Sequence, residues 1–283
     1  MRAIDLHTHS TYSDGTFSVK ELIDRAHEKG LAAIALTDHD TVDGIDEAIE
    51  YAAEKYSDLE VIPGIEFSTE NEGKEVHVVG LYIDYHDKEF TDGLSAFIDS
   101  RTGRNIKMCK KLSEEAGIPI SYEALTEEYP GTVITRAHFA KFMVENGYVN
   151  SRNEVFDRYI GDYAPYYVER EKISPEDAIK SILKAKGVPI LAHPILYRLS
   201  DERLEALVSK LKEAGLVGIE AIYSTYELRD ERQIKELAKK YDLLISGGSD
   251  FHGANKPDID LGTGCGKLFV PEDLLIPIKA ARG

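Results

Sequence analysis

His7 and His9 are separated by one residue, and Asp14 follows in a turn-prone Ser13-Asp14-Gly15 stretch. On a strand, residues two apart point to the same side, so the two imidazoles would face one spot. Two imidazoles and a carboxylate suit a divalent metal such as Zn, Mn or Fe. His39, Glu66, His193 and Asp250 each fall at or just past the end of an apolar, strand-like run. His252 follows Asp250 by two residues, and His77 sits early in its own run. For His77 a satisfied core histidine is the alternative. These nine residues exceed what one tetrahedral or octahedral ion needs. They suit two or three ions that share a bridging carboxylate and a bridging hydroxide. The chemistry is then hydrolytic, because cations stabilise hydroxide near neutral pH.

The elements that must carry these groups alternate between strand and helix. Strands are predicted at residues 3–6, 32–36, 59–62, 75–83, 188–192, 217–221 and 243–246. Between and after them, helices are predicted at 18–29, 43–55, 174–186, 200–214 and 226–240, with one more short helix within 271–281. Ser18 and Glu21 make a capping-box start, and Gly30 a stop. Repeated β-α units indicate a parallel α/β sheet or barrel, in which active sites gather at the C-terminal strand edge.

The alternation breaks between residues 90 and 168. Helical stretches at 90–116, 121–127, 135–145 and 153–159 fill it, followed by a Tyr- and Gly-bearing connector. This segment is too long for a loop and is expected to be an inserted helical subdomain. The division is then a barrel from 1–89 and 169–283, with an insertion at 90–168. The insertion must leave and re-enter near the metal ligands. It is expected to roof the site, to select a mononucleotide-sized substrate, and to be dispensable for metal binding.

The formal net charge of −17 argues against broad binding to duplex nucleic acid, which needs a basic face. It leaves a phosphate substrate open. Two cysteines, Cys109 and Cys265, fit neither a disulfide framework nor a zinc knuckle. No apolar run approaches the ~20 residues that span a bilayer. The chain opens on a strand rather than a charged and then apolar leader. The expectation is a cytoplasmic protein without membrane contact; its oligomeric state is not readable.

The motifs His7-Thr8-His9-Ser10, Thr37-Asp38-His39-Asp40, Gly64-Ile65-Glu66, Ala192-His193-Pro194 and Gly248-Ser249-Asp250-Phe251-His252 resemble those of the PHP (polymerase and histidinol phosphatase) phosphoesterases. The resemblance covers nearly the whole chain. It implies an α/β fold, a distorted seven-stranded (β/α)7 barrel, with a trinuclear centre of Mn, Fe or Zn, Mg also being accepted. By resemblance His7, His9, Glu66 and Asp250 hold one ion. Glu66 bridges to a second, held with His77 and His193, while Asp14, His39 and His252 hold a third. Arg101…Arg104-Asn105 and Thr135-Arg136-Ala137-His138 resemble the subgroup whose helical insertion goes with nucleotide substrates.

The resemblance therefore implies a phosphatase for AMP or a 3′,5′-nucleoside bisphosphate, with His193, Asp250 and Arg136 catalytic. Arg104, Arg136 and His138 would contact the phosphate, since guanidinium binds phosphate bidentately. Surface salt bridges are the alternative for the arginines, and helix packing for His138. Asp38 orients an imidazole or caps a turn; Tyr166 and Tyr167 stack on a base or pack the insertion. Hydrolysis of a cyclic phosphodiester, histidinol phosphate or a short oligoribonucleotide is the competing activity. A non-catalytic metal-binding module is the third alternative.

Overall fold

The computed structural model describes residues 2–170 and 174–283. Residues 171–173, in the second expected barrel segment, lie outside the described residues. Strands β1 (Ile4–Thr8), β2 (Ala33–Leu36), β3 (Glu60–Asn71), β4 (Lys74–Leu81), β5 (Val188–Leu191), β6 (Gly218–Tyr223) and β7 (Leu244–Gly248) pair in chain order. Asp250 N–H donates to His7 O at 2.8 Å and His9 N–H to Phe251 O at 3.0 Å, so the ring nearly closes.

Helices α1 (Val19–Glu28) and α2 (Ile45–Lys55) follow β1 and β2. α3 (Lys88–Glu115), α4 (Tyr122–Glu128), α5 (Arg136–Glu145) and α6 (Arg152–Val155) lie between β4 and β5, and α7 (Pro175–Lys184) leads into β5. α8 (Asp201–Glu213), α9 (Leu228–Lys240) and α10 (Leu275–Ala280) complete the chain. The α1 start is the capping box read from sequence, with Ser18 and Glu21 reciprocally bonded.

One expectation needs correction. The sheet is not wholly parallel: β4 runs antiparallel to both β3 and β5. No helix separates β3 from β4. Glu72 and Gly73 both take positive φ, 52° and 75°, the left-handed backbone of a two-residue hairpin turn. β3 therefore runs 12 residues, well past Glu66, instead of stopping before it. The reversal brings the start of β4 to the edge where the parallel strands end. Ala192 N–H donates to His77 O at 3.1 Å, which sets His77 level with the end of β5.

The two faces of the sheet are buried by different partners. Ile4, Leu6, Ala33, Ala35 and Ile62 join Leu275 and Ile278 of α10 in one cluster. Ile34 and Leu36 join apolar residues of α1, α2, α7, α8 and α9 in another. Phe90, Leu94 and Phe97, in the first turns of α3, belong to that second cluster. From Met108 onward the inserted helices pack among themselves through Leu112, Leu125, Phe139, Met143 and Val155. The helix predicted at 153–159 is instead α6 followed by a π-helical turn, Phe156–Ile160. Gly161 closes it because a Cβ there would lie 2.2 Å from Phe156 O. Among the described residues, no helix is long and apolar enough to cross a membrane.

Candidate metal centre

All nine residues named from sequence converge on one end of the barrel. Glu66 is their hub. Its Oε1 lies 2.8 Å from His77 Nδ1 and 3.1 Å from His193 Nε2. Its Oε2 lies 3.1 Å from His7 Nε2, 3.2 Å from His9 Nε2 and 3.3 Å from His39 Nδ1. Asp250 Oδ1 is 3.3 Å from His9 Nε2 and 3.3 Å from His252 Nδ1. Asp14 Oδ1 is 3.2 Å from His252 Nε2 and 3.8 Å from His39 Nε2. All are buried except His77, whose side chain is 17 % exposed.

Among the described residues, three subsets have donor atoms close enough to share an ion: His7, His9, Glu66 and Asp250; His9, Asp14, His39 and His252; and His39, Glu66 and His77. His193 stands beside Glu66 but outside these subsets. His7 Nε2, His9 Nε2 and Asp14 Oδ1 are buried without a hydrogen-bond partner. Orphaned buried polar atoms are rare, and here they are metal-ligand types turned toward one volume. The donor set therefore fits divalent cations.

The electrostatics say the same. Burial alone would lower the His9 imidazole, yet Asp250 and Glu66 carry it up to about 9. Burial is likewise outweighed at His77, which Glu66 and Glu75 carry up to about 10. Against burial, His7, His77 and His39 hold Glu66 well below the carboxylate range. His39 goes the other way, pushed down to about 3 by burial. The carboxylates thus demand compensating positive charge, and protons on imidazoles or divalent cations both answer that demand.

A second layer orients the imidazoles. Glu220 Oε1 lies 3.2 Å from His7 Nδ1, and its Oε2 accepts His193 N–H at 2.8 Å. Ser68 Oγ is 3.2 Å from His39 Nδ1, and Tyr223 OH donates to Asp250 Oδ2 at 2.6 Å. Sequence pattern does not single out Glu220, although a carboxylate inside the apolar run of β6 is itself a signal of a buried, partnered charge. Asp38 fixes the loop after β1, its oxygens accepting Ser10 N–H, Ser10 Oγ and Ser13 Oγ, and it meets an imidazole through Ser13 Oγ, 3.5 Å from His9 Nδ1.

A cavity of about 310 Å³ opens above this cluster. Asp14, His39, His77 and His252 line it together with Thr135, Arg136, Arg152 and Phe156 of the inserted segment. Lys256 also lines it, with Nζ 2.6 Å from Asp250 Oδ2. Arg136 pairs with Glu75 and with Asp162 Oδ1 at 2.9 Å, and its guanidinium lies 5.2 Å from the Tyr167 ring. Arg104 is 2 % exposed, and both its terminal nitrogens lack partners. Burial pushes it down to about 9, with repulsion from Arg101, Arg136 and Arg170 adding to the shift. His138 lies outside the cavity lining: its Nδ1 accepts Thr135 N–H at 3.0 Å and so closes the start of α5. Tyr166 packs on Tyr159 at 5.8 Å between ring centres.

A seven-stranded barrel with buried His, Asp and Glu donors clustered at one end is the architecture of a metal-dependent hydrolase. Residues 5–173 match the PHP domain family, and the chain belongs to it. It is 39 % identical over 249 residues to a 5′-3′ exoribonuclease of Haemophilus influenzae, covering 88 % of this chain and 89 % of that one. It is 35 % identical to a 3′,5′-nucleoside bisphosphate phosphatase of Chromobacterium violaceum, covering 93 % and 91 %. A solved Chromobacterium violaceum structure, described as an amidohydrolase with bound sulfate, superposes with a TM-score of 0.86 at 32 % identity, covering 99 % and 96 %.

Proposed function

We propose that this phosphoesterase removes phosphate from nucleotides, AMP or a 3′,5′-nucleoside bisphosphate, using two or three ions of Mn, Fe or Zn. His7, His9, Glu66 and Asp250 would hold one ion. Asp14, His39 and His252, with His9 in reach, would hold another. Glu66 with His77 and His193 or His39 would hold a third. Such ions supply Lewis acidity and lower the pKa of bound water. The protein's own groups do the rest. His193 and Asp250 set the position of the ions. Arg136, at the cavity wall, and Arg104 behind it place guanidinium charge beside the phosphate, where a water-poor site makes it count. His138 serves the helix start.

The observation that carries this proposal is the cavity itself. It is lined both by metal-ligating residues and by residues of the inserted helical segment, residues 90–168, which acts as a cap. The cavity's volume of about 310 Å³ is at the low end of small-molecule pockets. The exoribonuclease relative supports a second substrate, the 5′ end of a short RNA, which presents the same terminal nucleotide to the same cavity. Phosphate release from a panel of nucleoside monophosphates, 3′,5′-bisphosphates, sugar phosphates and short oligoribonucleotides, with Mn present, tests the proposal. Sugar phosphates as the best substrates would overturn it.

A further inference from the structure

The loop that carries Asp14 hangs on the inserted segment. Val133 N–H donates to Tyr12 O at 3.0 Å, and Thr132 Oγ1 to Thr11 O at 2.8 Å. Thr135 Oγ1 then donates to Asp14 Oδ2 at 2.9 Å. That hydroxyl has one hydrogen to give. His138 Nδ1, 3.3 Å away, already accepts Thr135 N–H, which leaves the hydrogen for Asp14. The same oxygen accepts Ala137 N–H at 3.2 Å, so the start of α5 fixes where it points. A second tether arrives from the far side. Arg152 donates to Asn255 O at 2.9 Å and Oδ1 at 2.5 Å, and Asn255 Nδ2 donates to Asp14 O at 2.6 Å.

Asp14 thus has one oxygen held by the insertion, while the other, partnerless, is turned toward His252, His39 and His9. Hydrogen bonds of this kind orient metal ligands and tune their affinity. We propose that Thr135 is a positioning residue through which the insertion controls occupancy of the metal subsite formed by His9, Asp14, His39 and His252. This rests on Asp14 being a ligand of that subsite. The insertion is then not the dispensable roof expected from sequence, because removing it frees the carboxylate. The coupling is reciprocal: an ion at this subsite tightens the insertion as much as the insertion tightens the ion.

Calorimetric Mn titration and elemental analysis of the full-length protein separate the outcomes. Thr135→Val should weaken one ion by about 10–100-fold and leave the others unchanged, with Thr135→Ser restoring it. Asp14→Asn serves as the reference and should lose that same ion. If Asp14→Asn binds Mn like the wild type, the ligand assignment fails and this proposal falls with it. If Asp14→Asn loses an ion while Thr135→Val keeps all of them at wild-type affinity, the ligand assignment stands and Thr135 is only a helix cap. Amide exchange of the wild type gives a readout independent of any variant's folding. Mn should slow exchange across residues 132–146, and unchanged exchange there would overturn the coupling.

Discussion

Glu66 and His77 stand on adjacent strands that run in opposite directions, and their side chains meet with Oε1 and Nδ1 2.8 Å apart. The reversal lets one carboxylate face five imidazoles from four segments: His7 on β1 and His9 just past it, His39 after β2, His77 on β4 and His193 after β5. Glu66→Ala should therefore release metal and abolish turnover, because among the described residues no other carboxylate lies beside all five of these imidazoles. Elemental analysis after desalting from Mn measures the first effect. Metal content equal to wild type would remove Glu66 from the ligand set. In the intact protein, Mn at about 100 times its Kd should add about 2.7 kcal/mol of stability, seen as a rise in Tm that chelation reverses.

The barrel was legible from its apolar runs, and His39, Glu66, His193 and Asp250 because each falls at or just past the end of one, whereas Asp14 and His77 were placed by motif rather than by strand edge. Residue type and strand edge together carry that information. The β3–β4 hairpin was not legible: Asn71-Glu72-Gly73 is a weak turn signal, and the stretch past Phe67 (Ser68-Thr69-Glu70-Asn71) is polar, with no apolar run to mark the strand's continuation. His77 sits early in its run, yet at the site, because a reversed strand exchanges its ends. Glu220 and Thr135 were hidden differently. Each acts on a residue more than a hundred positions away, His7 in one case and Asp14 in the other, and no local pattern reports that.

Glu220 positions two imidazole-bearing segments at once, through His7 Nδ1 and His193 N–H. Glu220→Ala should lower metal affinity about 10–100-fold, as loss of an orienting partner does. Glu220→Gln keeps an acceptor for His193 N–H and should cost less. Equal metal affinities for both variants and the wild type would make Glu220 merely a buried polar residue.

Asp40 binds the inserted segment to the barrel. Its Oδ2 accepts Arg101 Nε at 2.8 Å and Arg170 NH1 at 2.8 Å, and all three groups are buried. Against burial, which raises it, the two guanidiniums hold the Asp40 carboxyl below its ordinary range. Removing the charge strands two buried cations, so Asp40→Asn should destabilise by about 3–5 kcal/mol. Urea unfolding measures it; a loss under about 1 kcal/mol would mean that Ser68 and the neighbouring carbonyls suffice as partners.

Arg136 is held by Glu75 and Asp162 while it faces the cavity. If it exchanges onto substrate phosphate, Arg136→Ala should cost about 2–4 kcal/mol in kcat/KM, the scale of a charge contact made in the transition state. Arg136→Lys should not restore the rate, because the planar fork is lost. Kinetics of Arg136→Ala close to wild type, with a lowered Tm, would assign it to holding the insertion instead.

The last prediction separates a nucleotide enzyme from a general phosphatase. Phe156 lines the cavity together with the metal-ligating residues, on a π-helical turn of the kind often found at functional sites. Under the proposed reading, a nucleoside whose phosphate sits at the metals would meet that ring, which a smaller aryl group would not reach. Binding energy from the nucleoside raises the rate only where the insertion engages it. The intact protein should thus prefer AMP or adenosine 3′,5′-bisphosphate strongly over p-nitrophenyl phosphate. Phe156→Ala should then cost about 1–3 kcal/mol in kcat/KM for the nucleotides, the worth of one stacked base, and spare p-nitrophenyl phosphate. An equal loss for both substrates would show that the ring packs the insertion rather than meeting a base. No preference in the wild type, or long single-stranded RNA as the best substrate, would show an open site instead of a roofed one.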